Sequence, residues 1–263
     1  MSEDEIILTH ILDCRRIDLH LNKPVLTSQQ QQQFDEYVTR RKAGEPLQYI
    51  LGSCNFFGLE FKVNPAVLVP RPETEILVEE ALRRFKGSSI LDIGTGSGNI
   101  AVTLTKHIPQ ARVTAIDISN DALAIAHENA VAHGVADRID FVRADMNEYL
   151  SVGAYGHTPV QFDMVVSNPP YIPSRQIASL PADVQKEPRL ALDGGEDGLK
   201  FCQMLIKSSP PLLRKGGCLM MEFGDGQGFA LRALCEQTRA FSHIEILHDL
   251  NGKERILHGK IRH

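Results

Sequence analysis

No apolar run in this chain of 263 residues approaches the roughly 20 residues needed to cross a bilayer, so no membrane-spanning helix is expected. The acidic, polar opening MSEDE lacks the positive n-region of a secretory signal, and the chain reads as a soluble, cytoplasmic protein. Cysteine is sparse and unpaired in pattern. Cys14, Cys54, Cys202, Cys218 and Cys235 are odd in number and form no C-x-x-C, which supports neither a disulfide framework nor a zinc site. The ten histidines include no H-x-x-x-H pair on a convincing helix; His243 and His248 fall in a strand-like segment, where their spacing puts them on opposite faces. No metal ligand is assigned. Positive charge is also in deficit: 28 Lys and Arg against 33 Asp and Glu give a net charge of −5, which argues against a broad electrostatic grip on nucleic acid but leaves room for a local basic patch. What the chain has is core material, 43% hydrophobic residues, enough for one large domain or a medium domain with a small one.

The character of the sequence changes near residue 75. Before it, residues 3–21 and 28–43 read as helices, the second capped by Thr27 or Ser28 and closed by Gly44 in the left-handed position after its end. The glutamines at 29–33 read as a solvated helix face. Residues 48–63, QYILGSCNFFGLEFKV, are rich in aromatic and β-branched residues with glycines at 52 and 58, which suits a hairpin; Pro65, Pro70 and Pro72 punctuate the junction that follows. From residue 73 helices and short apolar strands alternate: a helix over 73–85, strand 89–93, a helix after Gly98, strand 113–116, helix 120–133, strand 139–142 and strand 164–166. This predicts an α/β layer structure with a mainly parallel sheet. Three more strand-like stretches follow, GGCLMMEF, HIEILHDL and ERILHGKI, the last two joined by Asn251-Gly252 and therefore antiparallel. The expected division is 1–47 as a helical domain, 48–72 as a linking hairpin and junction, and 73–263 as the main domain.

In open parallel sheets, ligands bind at the carboxyl ends of the strands. After the first strand, LDIGTGSGNIA places Gly94, Thr95, Gly96, Ser97 and Gly98 in a turn that lets backbone approach a ligand and opens a helix. After the second, Asp117 stands where a carboxylate would accept both hydroxyls of a ribose. After the third, Asp145 and Met146 stand where an adenine could be held by a hydrogen bond and an apolar wall. Gly96, Gly98 and Ala101 also satisfy G-x-G-x-x-G/A, so an NAD site is a rival reading. Asp92, directly before the turn, suits a ligand ammonium rather than a pyrophosphate, and with Asp145 it favours S-adenosylmethionine. After the fourth strand, VVSNPPYIPS stops the sheet: Pro169 and Pro170 remove two donors and fix two φ angles, holding Asn168 and Tyr171 in set directions. On its own such a turn is more often a plain strand stop.

Together, DIGTGSG, AIDIS, RADM and NPPY resemble the Rossmann-like class I S-adenosylmethionine-dependent methyltransferases over about residues 75–263. GEPLQYILG, VLVPRPETE and EPRLALDGGEDGL further resemble the release factor glutamine methyltransferases, the HemK/PrmC family. The resemblance implies a mostly parallel seven-stranded sheet with an antiparallel C-terminal hairpin, preceded by a small helical domain that recognises substrate. It implies S-adenosylmethionine as cofactor, S-adenosylhomocysteine as product, and methyl transfer to N5 of the glutamine in the Gly-Gly-Gln loop of class 1 peptide chain release factors, without direct nucleic acid or membrane partners. Asn168 would serve both cofactor and substrate, its side-chain oxygen and the Pro169 carbonyl accepting the substrate amide's N–H groups, with Pro170 and Tyr171 completing the slot. Arg71, Glu73, Glu187 and Arg189 would shape the pocket, or instead form a loop-fixing ion pair. Family members usually carry a further helix before the segment matching residues 3–21, so a shorter helical module is expected here. N-P-P-Y is shared with methyltransferases of adenine and guanine amino groups, which leaves a nucleic-acid enzyme as the alternative, and a non-catalytic nucleotide-binding module as a third reading.

Overall fold

The structure is a computed structural model that describes residues 2–22, 24–151 and 161–262. Its first part is helical: α1 (Glu3–Leu12), α2 (Arg16–Asn22) and α3 (Ser28–Lys42). Ser2 with Glu5, and Thr27 with Gln30, form reciprocal capping boxes at the starts of α1 and α3. The continuous helix expected over 3–21 is broken. Asp13 takes a left-handed φ of 45°, and the Asp18 carboxylate accepts the backbone N–H of Arg15, a local bond that competes with helix continuation. Helix α3 ends as expected at Gly44, whose φ is 82°.

The segment 48–63 is also not the simple hairpin expected. A single-turn helix α4 (Leu47–Leu51) lies between Pro46 and Gly52, and only then do β1 (Ser53–Phe56) and β2 (Leu59–Lys62) pair antiparallel. The apolar composition of α4 reports burial, since Leu47, Tyr49 and Ile50 are all buried. Phe56 and Phe61, from β1 and β2, belong to the same buried cluster as Ile90, Val102 and Leu104 of the main body.

The rest alternates as expected: α5 (Pro72–Arg84), β3 (Ser89–Ile93), α6 (Asn99–His107), β4 (Arg112–Asp117), α7 (Asn120–Ala132), β5 (Ile139–Arg143), α8 (Met146–Ser151), β6 (Phe162–Ser167), the short α9 (Arg189–Leu192), α10 (Lys200–Ser208), β7 (Leu213–Glu222), α11 (Gly228–Thr238), β8 (Phe241–His248) and β9 (Glu254–Ile261). The seven large-sheet strands run in the order β5-β4-β3-β6-β7-β9-β8. Strands β5 through β7 pair in parallel, and β9 is antiparallel to both β7 and β8. Neighbouring strand residues serve opposite faces. Ile90 joins the cluster under α5 and α6, whereas Leu91 and Ile93 join the cluster under α10 and α11. Helices thus cover both sides, which is why the parallel strands are almost wholly apolar. Among the described residues no helix is long and apolar enough to cross a membrane.

Candidate active site

The chain leaves β3 for β4 on one side and returns to β6 on the other, so the carboxyl ends of β3 and β6 flank the switch point where parallel sheets open a crevice. A cavity of about 360 Å³ lies there, lined by Gly94, Thr95, Gly96, Ser97, Asp117, Asp145, Met146, Asn168 and Pro170 among others. The turn after β3 is held from within. The N–H groups of Gly94 and Thr95 donate to Ile116, Gly98 donates to Thr95, and Gly96, at φ 55°, donates to Asp117 Oδ2 at 2.9 Å. These bonds occupy the N–H groups of Gly94, Thr95, Gly96 and Gly98 and fix the shape of the turn.

Asp117 ends β4 and also accepts the Ser119 N–H through Oδ1 at 2.9 Å. Each of its oxygens keeps further acceptor capacity, and burial raises its pKa against the pull of the backbone donors. Asp145 lines the cavity while its Oδ1 accepts the Asn147 N–H at the start of α8, so it both caps a helix and faces the crevice. Asp92 and Gly98 lie off the cavity wall. Asp92 is fully buried: Oδ2 accepts the Thr95 hydroxyl at 2.6 Å and Oδ1 has no partner. Burial pushes its carboxyl up to about 7, with the bond from Thr95 opposing and the charge of Asp117 adding to the rise.

A second hollow, of about 290 Å³, is lined by Glu73, Tyr171 and Arg255, and shares Arg71 and Asn168 with the first. Asn168 therefore borders both. Its Nδ2 donates to Thr74 Oγ1 at 3.0 Å, the Thr74 hydroxyl donates to Glu222 Oε2 at 2.7 Å, and the Tyr171 hydroxyl donates to Glu222 Oε1 at 3.0 Å. Thr74 and Glu222 are 1% and 0% exposed. Burial raises the pKa of Glu222 against these two donors, and burial together with the Glu222 charge raises that of Tyr171. Pro169 borders neither hollow. The turn is buttressed from behind: Gln227 donates to the Tyr171 carbonyl at 3.0 Å, and Gly198, at φ 79°, packs where a Cβ would run into that carbonyl.

The rim residues divide. Arg71 donates to Glu187, whose other oxygen accepts the Val69 N–H, so the buried Glu187 staples the 69–71 segment in place. Burial raises its pKa, with Arg71 opposing. Glu73 borders the second hollow, while Arg189 pairs with Asp193 at 3.0 Å and not with Glu187. Arg41 of α3 bridges Glu3 at 2.8 Å and Asp183 at 3.2 Å, tying the helical part to the loop that leads to Glu187. Sequence reasoning missed Thr74 and Glu222. Glu222 follows the apolar run Cys218–Met221 at the end of β7, a signal like the one that pointed to Asp117. Elsewhere, among the described residues, His243, Glu245 and His258 come within ligand distance of one another, but Arg84 already donates to Glu245 at 2.7 Å.

Two family models match the chain, the PrmC N-terminal domain over residues 2–52 and the methyltransferase small domain over residues 72–183. A release factor glutamine methyltransferase from Moorella thermoacetica is 44% identical over 225 residues, covering 84% of this chain and 77% of that protein. One of the same name from Geobacter sulfurreducens is 41% identical over 263 residues, covering 98% and 89%. Among solved structures, a methyltransferase from Pyrococcus furiosus superposes with a TM-score of 0.55 at 18% identity, over 90% of this chain and 100% of that one, which supports the Rossmann-like class I methyltransferase fold.

Proposed function

The chain belongs to the release factor glutamine methyltransferases, and from that membership and its site we propose that it methylates N5 of the glutamine in the Gly-Gly-Gln loop of class 1 peptide chain release factors. One observation carries the reading. Asn168, held by a rigid proline turn, borders both the cavity at the end of β3 and the adjoining hollow, which is where a group must stand to align an acceptor atom with a donor bound next door.

The residues of the first cavity fit S-adenosylmethionine. Asp117 keeps an acceptor site on each oxygen for two ribose hydroxyls, Asp145 and Met146 offer an acceptor and an apolar wall for a base, and the unpartnered Asp92 oxygen supplies negative potential beneath the turn. When bound, this cofactor supplies an electrophilic methyl group. A glutamine amide nitrogen is a poor nucleophile because its lone pair is delocalised, so the protein's task is to hold it in line and support charge developing on it. Asn168 Oδ1 accepts one of its N–H groups, and the family resemblance gives the other to the carbonyl of Pro169, although Pro169 lines neither hollow; fixed acceptors of this kind bind more strongly as the nitrogen becomes tetrahedral and cationic. Tyr171 walls the slot, Arg71 and Glu187 fix its rim, and Glu73 lines it. The proton then leaves to water, so no general base is needed. The helical domain, residues 1–47, supplies the second contact with the release factor, 48–72 link it, and 73–263 carry the chemistry.

The test is methyl transfer from labelled S-adenosylmethionine to intact release factor, to the same protein with the loop glutamine replaced by asparagine, and to DNA and RNA. Label on the first alone is expected. Label on nucleic acid with none on release factor would leave the amino-group methyltransferase reading standing.

A further inference from the structure

We propose that Thr74 and Glu222 are positioning residues that lock the Asn168 amide in the one orientation able to accept from the substrate glutamine; this rests on the reading of Asn168 given above.

An asparagine amide presents an oxygen on one side and an NH2 on the other, and packing alone hardly distinguishes them. Only the oxygen can accept an N–H from a substrate amide. The choice is made by the hydroxyl that Asn168 faces. Two hydroxyls converge on Glu222, Thr74 on Oε2 at 2.7 Å and Tyr171 on Oε1 at 3.0 Å, and this pair of donors supports the ionised carboxylate against its burial; a carboxylate accepts and never donates, so both hydroxyls donate to it. Having spent its one proton on Glu222, the Thr74 oxygen can only accept from Asn168. Nδ2, at 3.0 Å, is thereby turned toward Thr74, and Oδ1 is left for the substrate. Reversing the amide would set its oxygen against a hydroxyl with no proton to give, in a place where Thr74 and Glu222 are shut off from water that could supply one. The same carboxylate holds Tyr171, so both ends of the N-P-P-Y turn hang on Glu222. The relay joins the first turn of α5, the end of β7 and the turn after β6, and no residue in it beyond Asn168 and Tyr171 needs to touch substrate.

The test compares Thr74→Val, which keeps shape and loses the hydroxyl, with Thr74→Ser, which keeps the hydroxyl, and with Glu222→Met, which removes the acceptor. Nitrogen-15 NMR of the Asn168 side-chain amide reads the lock directly in the protein without substrate. In the wild type and in Thr74→Ser one amide proton should be protected from exchange, and in Thr74→Val and Glu222→Met that protection should be lost. Kinetics with release factor should show kcat down by roughly 10- to 100-fold in Thr74→Val and Glu222→Met, with KM and S-adenosylhomocysteine affinity within about twofold, and recovery in Thr74→Ser. Melting curves identify a variant that fails to fold; Thr74→Ser against Thr74→Val then carries the comparison. Normal kcat and retained amide protection in Thr74→Val and Glu222→Met would overturn the proposal, as would a Thr74→Ser variant no better than Thr74→Val. Asn168→Ala separates the two levels: if it transfers methyl normally, the reading of Asn168 itself fails, whereas an inactive Asn168→Ala beside normal Thr74→Val and Glu222→Met variants sinks only the relay.

Discussion

Replacing Asp117 by asparagine should weaken S-adenosylmethionine binding strongly, though less than replacing it by alanine. The carboxylate accepts two backbone N–H groups, from Gly96 and from Ser119, each at 2.9 Å and each on a different oxygen. Asparagine has one acceptor oxygen, so whichever way it turns, its NH2 meets one of those donors. The variant loses one backbone bond, gains a donor facing a donor, and presents only one acceptor to the two ribose hydroxyls. Losing one charge-assisted bond to the ligand, worth about 1.5–3 kcal/mol, and displacing the turn by a further kcal/mol or so gives a loss of about 2–4 kcal/mol, or roughly 30- to 1000-fold in affinity. Alanine loses both ligand bonds and the acceptors of Gly96 and Ser119 as well, so it should bind more weakly still. Isothermal titration with S-adenosylmethionine and S-adenosylhomocysteine measures all three proteins. Asp117→Asn binding within about twofold of the wild type, with Asp117→Ala much weaker, would mean that a single acceptor suffices and that the double-acceptor geometry is irrelevant.

Asn168→Ala should lower kcat by roughly 100-fold or more while cofactor affinity changes little; a near-normal rate would return the N-P-P-Y turn to the status of a strand stop. Asp92→Asn should alter the pH dependence of stability. An acid whose folded pKa, about 7, lies above its unfolded value contributes most to stability below the unfolded pKa and loses that contribution as pH rises through 7. The melting temperature of Asp92→Asn relative to the wild type should therefore climb between pH 5 and pH 8, and a difference that stays flat or falls would show that the anion is stabilised in the fold. Removing residues 1–44 should raise KM for intact release factor by about tenfold and leave a short Gly-Gly-Gln peptide almost unaffected, since only the folded protein can reach a second surface. Removing residues 1–64 should instead abolish the fold, because it strips Phe56 and Phe61 from the main core; a folded, active protein after this longer cut would contradict the packing of the hairpin.

Much of this molecule was legible from local pattern. Strand β3 falls at 89–93 as expected, because a short apolar run ended by Asp92, Ile93 and Gly94 leaves little choice, and Thr27 and Gly44 bound α3 for capping reasons that a sequence displays. The crevice residues Asp117 and Asp145 were legible through position alone, each following a parallel strand. The misreadings have a common cause. In α4 the aromatic and β-branched residues that suggested a strand are there to be buried, and one helical turn between Pro46 and Gly52 is too short to show a period. At Asp13 the apolar pattern runs on while a single left-handed residue ends the helix. The Thr74–Glu222 bond spans 148 residues of sequence, and no periodicity announces such a meeting.

Strand β9 comes after β8 in the chain but lies between β7 and β8 in the sheet. A nascent polypeptide synthesised through β8 thus has no neighbour for the outer side of β7, whose last residue is Glu222, and the unpaired strand offers its backbone to any passing edge. Strands β3 to β6 can assemble as they emerge, so the crevice at the end of β3 can take shape before the carboxylate that secures Asn168 and Tyr171 is in its final setting. On this order of assembly the crevice at the end of β3 forms first, and the bonds of Thr74 and Tyr171 to Glu222 settle only when β9 slides into its gap.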